Sequence, residues 1–225
     1  MFNKKLVPMP QVKTTFALIA LLILTMFSGV AVAQDSTKQP VKPPEKKYLL
    51  DDDANELISL IEAGLKSLAD LPTKPQSVRP IAARQKTHDI KAAGIVIRGK
   101  LDRFIISSRD LVDRATRALR DERRQLRDLG SAGTTDFNAG IKKERELLDV
   151  EEDIKVHQSI NEINLSLGVK GLLYRTDLTE KMTLINERNY LYETRDFLKG
   201  LRDTIKAHNQ WVHEVSDKVW PGGSL

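Results

Sequence analysis

The chain has 225 residues, 36 Lys+Arg against 31 Asp+Glu, a formal net charge of +5 and 5% aromatic residues. It contains no cysteine, which excludes disulfide stapling, a cysteine-linked lipid anchor, CxxCH haem attachment and a nucleophilic thiol. A charged fraction of 30% with so few aromatics suits long amphipathic helices better than a thick globular core.

Lys4, Lys5 and Lys13 form a basic leader, Phe16 to Val30 an apolar run, and Ala31-Val32-Ala33 a small-x-small site before Gln34. That order is the pattern of a secretory signal peptide, so residues 1–33 are expected to be cleaved on export to the periplasm or the extracellular space. The alternative is an uncleaved inner-membrane anchor over residues 16–33, because the run approaches the roughly 18 to 20 residues that span a bilayer. Without the leader, 192 residues remain, carrying 33 Lys+Arg against 31 Asp+Glu. The basicity is therefore largely a targeting feature, and no nucleic-acid partner is expected.

Residues 34–48 hold Pro40, Pro43, Pro44 and several lysines, bury too little to offset ordering, and read as a flexible tether. A helical domain is expected over 49–220. Asp51, Asp52 and Asp53 favour a helix start, and Leu57, Ile61, Leu65 and Leu68 give a short amphipathic helix from about Asp52 to Leu71. Pro72, Pro75 and Pro80 end it.

A second helix is expected from about Ile81 to Leu129, with the seam Ile105, Val112, Leu119 and Leu126 and a kink or break near Gly94 and Gly99. The stretch from Gly130 to Thr135 reads as a stop and a new cap. A third helix starts near Asp136, carries Ile141, Leu148, Val156, Ile160, Ile163 and Leu167, and closes at Gly168 and Gly171. The longest uninterrupted repeat belongs to the fourth: Leu184, Leu191, Leu198, Ile205, Val212 and Val219 at sevenfold spacing, with Thr176 or Asp177 as its cap. A helix from Asp177 to Val219 is roughly 60 Å long. Residues 221–225 read as a disordered tail. The fold class is all-α: an elongated antiparallel helical bundle or coiled coil of three long helices plus a short N-terminal one.

Charge decides how the second and third helices meet. Arg114, Arg117, Arg120, Arg123, Arg124 and Arg127 crowd the end of one; Glu144, Glu146, Asp149, Glu151, Glu152 and Asp153 crowd the start of the next. Folding back at the intervening turn sets these blocks side by side. Exposed pairs contribute only about 0.2 to 1 kcal/mol each, so their role is choice of register and partner. The arginines could alternatively grip a polyanion, but Asp110, Asp113, Asp121, Glu122 and Asp128 are mixed among them at helical pairing distances.

No feature carries catalysis. There is no GxSxG, no glycine-rich phosphate loop and no HExxH. His208 and His213 are five apart, about 140° around a helix, which is poor for paired ligands. No metal, cofactor or catalytic residue is expected, and the Asn164-Leu165-Ser166 sequon falls inside a helix. The expectation is an exported scaffold that binds a protein partner, most simply a second copy as a homodimer, through coiled-coil faces. Its candidate partner-binding residues are Leu191, Leu198, Ile205, Val212, Trp211, Arg117, Arg120 and Arg124. A holdase-like periplasmic chaperone or adaptor is the alternative. The membrane enters only through the leader, if it is uncleaved.

Overall fold

Apolar residues recurring at alternating steps of three and four force each helix of this chain to bury one stripe. A computed structural model describes residues 48–131, 133, 137–177 and 182–221. The leader, nearly all of the tether and most of the tail lie outside the described residues. Among the described residues four α-helices and one short 3₁₀ turn follow one another: α1 Asp51–Ser67, the turn Pro75–Ser77, α2 Pro80–Ser131, α3 Phe137–Thr176 and α4 Leu184–Val219. The fold is an all-α bundle, and no strand occurs among the described residues.

The axis of the bundle is the parallel pair α2 and α4. On α2, Ala83, Thr87, Ile90, Gly94, Ile97, Leu101, Phe104, Ser108, Leu111 and Ala115 are buried in unbroken four-three alternation. Of the expected seam Ile105, Val112, Leu119 and Leu126, Val112 and Leu119 are buried and Ile105 and Leu126 only partly so; upstream of Val112 the core register runs one position away, through Phe104 and Leu111. On α4 the expected repeat is the buried one: Leu191, Leu198, Ile205 and Val212, interleaved with Glu187, Thr194, Leu201, His208 and Val215. Ser108 bonds His208 across the pair at 2.7 Å, and Arg84 meets Glu187 at 3.5 Å, which fixes the parallel register.

Helices α1 and α3 lie on opposite sides of this pair, each touching α2 and α4 but not each other. Helix α1 presents Ala54, Leu57, Ile61 and Gly64 and runs antiparallel to both partners. Its far end meets the start of α2 through Lys86, which donates to the Ser67 carbonyl (2.7 Å) and to Asp70 just beyond it, and its near end meets the last turns of α4 through Asp51 and His213 (2.6 Å). It ends at Ser67, earlier than the prolines alone imply. The connection is held by Arg188, which donates to the Val78 carbonyl, and by Tyr192, which donates to the Pro72 carbonyl.

The α2–α3 hairpin forms as the charge blocks dictate. Arg109 meets Glu162 at 3.1 Å, Arg120 meets Glu151 at 2.8 Å, and Arg127 meets Glu144 at 3.0 Å, a descending series that defines the antiparallel register. Burial on α2 stops at Leu119 and on α3 begins at Glu151, so the two helices continue beyond the bundle as an arm with no buried side chain among its described residues.

Two expectations about glycine need correction. Helix α2 runs without interruption through Gly94 and Gly99, and α3 runs past Gly168 and Gly171 to Thr176. The glycines of α3 are notches, not stops. A Cβ at Gly168 would lie 2.7 Å from Leu201 Cδ1, and one at Gly171 would strike the Phe197 ring, so their absence of side chain lets α3 approach α4 closely. Helix α4 correspondingly begins later than expected, at Leu184, with the Thr183 hydroxyl accepting from the Asn186 backbone N–H (3.3 Å).

These notches give a paired prediction. Gly171→Val should lower unfolding free energy by about 1–3 kcal/mol through overpacking. Gly99→Ala, where nothing lies within 4 Å, should raise it by roughly 0.5–1 kcal/mol. Urea titrations of both variants check the contrast.

Candidate interaction surface

Helix α3 is apolar on two opposite sides. Its inner side, with Ile154, Leu165, Gly168 and Leu172, is buried against α2 and α4. Turns of about 100° per residue set Val156, Ile160, Ile163, Leu167 and Tyr174 close to 180° away. Those five side chains are 58%, 52%, 61%, 59% and 66% exposed. They recur at steps of four, three, four and seven; Lys170 takes the one intervening place. The spacing is that of a coiled-coil seam with no partner helix on it among the described residues.

The flanks of this stripe suit a close approach. Ser159, Asn164 and Ser166 border it, all exposed and uncharged. Charge is confined to its ends: Asp149, Glu152 and Asp153 precede it, and Lys170 stands near its C-terminal end. Asp153 reaches His157 (3.1 Å) and Lys218 (3.4 Å), whereas Lys170 forms no ion pair among the described residues.

The residues expected to face a partner lie elsewhere. Leu191, Leu198, Ile205 and Val212 are at most 1% exposed and form the chain's own core. Trp211 is half-buried and bridges the main core to a smaller cluster of Val112, Ala115, Leu119, Ile154 and Val215. Arg120 is engaged within the chain by Glu151, and Arg117 folds back to donate to the Asp113 carbonyl (3.2 Å). Arg124 is exposed in a cleft that Arg120, Arg123, Arg127 and Lys155 also line. Val156, Ile160, Ile163 and Leu167 stand in the sequence as apolar positions of the third helix, with no face assigned to them. The missing signal was the second repeat, Ile154, Leu165 and Leu172, on the other side of the same helix.

Much of the positive charge in that cleft is already matched. The nearly inaccessible Glu151 carboxylate receives Arg120 (2.8 Å), Arg123 (2.8 Å) and Lys155 (2.6 Å). Burial pushes its pKa up, but the bonds from Lys155 and Arg120 outweigh that and hold it below the usual carboxylate value. Its contribution to stability is therefore present above about pH 4.5 and is lost on acidification below it.

The two histidines near the end of α4 point to different elements. His213 bonds Asp51 on α1 and stacks on the Tyr48 ring at 3.8 Å. His208 is buried between α2 and α4, edge-on to Phe104 at 5.4 Å, with Nε2 bonded to Ser108 and Nδ1 without a partner among the described residues. Burial lowers its pKa from 6.5 to about 4; Glu162 pulls the other way and does not offset it. Compared with known protein families, curated proteins and solved structures, the chain matches none.

The His208 site predicts an acid limb of stability. Between about pH 4 and 6.5 the unfolded chain binds a proton that the folded chain refuses, so stability rises with pH across that window. Acidifying from pH 7 to 4 should remove roughly 3 kcal/mol through this group. His208→Gln, which keeps a partner for Ser108 but does not titrate, should flatten the slope between pH 6.5 and 4.5 in urea unfolding.

Proposed function

We propose that this chain is an exported, non-enzymatic scaffold of the cell envelope, cleaved after Ala33, that binds a helical protein partner on the outer stripe of α3. One observation carries the reading: four aliphatic side chains stand exposed in line on the side of α3 opposite the core. Single exposed apolar residues are ordinary, but a line of them at heptad spacing is what a partner helix covers. Covering four half-exposed aliphatic groups stabilises a complex by about 1 kcal/mol each. No described helix is long and apolar enough to cross a membrane.

The same open stripe supports a second reading, a holdase-like chaperone or adaptor that covers apolar segments of an unfolded client. The two differ in selectivity. A scaffold captures a folded helical partner and leaves aggregation of an unrelated heat-denatured enzyme unchanged; a holdase suppresses that aggregation near equimolar ratio.

At protein concentrations low enough to hold the stripe unpaired, replacing Ile160 and Ile163 together by serine should at least halve the fluorescence of a bound hydrophobic dye, with little change in melting temperature. Undiminished dye binding would remove the stripe from the functional reading. N-terminal sequencing of the exported protein should begin at Gln34; an intact leader would replace cleavage with anchoring.

A further inference from the structure

We infer that the outer stripe of α3 pairs with the same stripe of a second copy, antiparallel, about a two-fold axis between Ile160 and Ile163. The inference rests on reading this stripe as the interaction surface and adds which partner it takes and in what register.

The stripe is self-complementary only in one direction. With the two-fold between Ile160 and Ile163, each Ile160 meets the partner's Ile163, each Val156 meets the partner's Leu167, and each Asp153 meets the partner's Lys170. The four aliphatic positions from Val156 to Leu167 are then all filled by apolar partners, and the acidic end of one stripe lies on the basic end of the other. A parallel pair would set Asp153 on Asp153 and Lys170 on Lys170, with like charges at both ends of the seam. Lys170 is the one charged residue within the stripe, and it has no ion pair among the described residues, which leaves it available to the carboxylate across the interface.

The borders fit the same arrangement. In this register Ser159 of one copy lies beside Ser166 of the other, so small uncharged side chains separate the two backbones at the centre. The contact runs from Asp153 to Lys170, about 26 Å of helix, and Tyr174 lies beyond it, level with the partner's Asp149. A surface of that length is smaller than a standard stable interface, so the dimer should form in the micromolar range rather than far below it.

The absence of native cysteine makes the register directly readable. Introduced together, Val156→Cys and Leu167→Cys should give an intermolecular disulfide in high yield under mild oxidation. Either one alone should not, because the two copies of position 156 lie about 16 Å apart and a disulfide needs Cα atoms within about 7 Å. In sedimentation of the full chain, Asp153→Lys and Lys170→Asp should each weaken the dimer at least fivefold, and the double exchange should restore it. The double exchange also guards against a folding defect in either single variant, since Asp153 has contacts within its own chain.

Efficient cross-linking by Val156→Cys alone would overturn the antiparallel register. A monomer across the micromolar range would overturn self-pairing, whatever the dye reports. If dye binding still falls on replacing Ile160 and Ile163 in that monomer, the stripe remains an interaction surface for a different partner; if it does not fall, both readings fail.

Discussion

The contact between α2 and α4 is the constraint on which the remaining packing depends. Two helices with matching four-three repeats lie parallel along one line, and every other described helix is placed by touching both. Parallel neighbours cannot be joined by a short turn, so α3 must return the chain along one side of them. The other side is left to α1, which at 17 residues covers only part of it. Polar residues fix this pair as firmly as apolar ones. Sliding α4 by one heptad would preserve most aliphatic layers but would separate His208 from Ser108 and strand both in the core.

Most of this arrangement was legible before any coordinates. The repeat Leu191, Leu198, Ile205 and Val212 is uninterrupted by charge, so a seam was the only physical reading. The opposed arginine and glutamate blocks likewise determined how α2 meets α3. The register of α2 was less accessible upstream of Val112, because Ile105 is as apolar as Phe104 beside it and the buried seam there includes Thr87, Gly94 and Ser108. Small and hydroxylated side chains fit where helices approach closely, yet they carry little hydropathy signal.

The surface of α3 was the least legible part. One-dimensional periodicity reports that a stripe exists, not which of two stripes the chain itself will cover. That choice is made by Gly168 and Gly171, which flatten one side of α3 so that Leu201 and Phe197 can lie against it. Read alone, a glycine late in a helix signals termination; beside a bulky neighbour it signals contact. Choosing between those meanings needs the position of α4, which is a long-range fact.

The arm formed by α2 beyond Leu119 and α3 before Glu151 differs in kind from the rest of the molecule. Its helices are tied by surface pairs such as Lys143 with Glu122 (2.7 Å) and by half-buried Leu126, Leu147 and Leu148, with no sealed interior. Ionic screening acts on such pairs over about 8 Å at physiological salt and hardly reaches the enclosed Ser108–His208 layer. Cohesion is therefore graded along the molecule, and brine would loosen one extremity while the trunk kept its form.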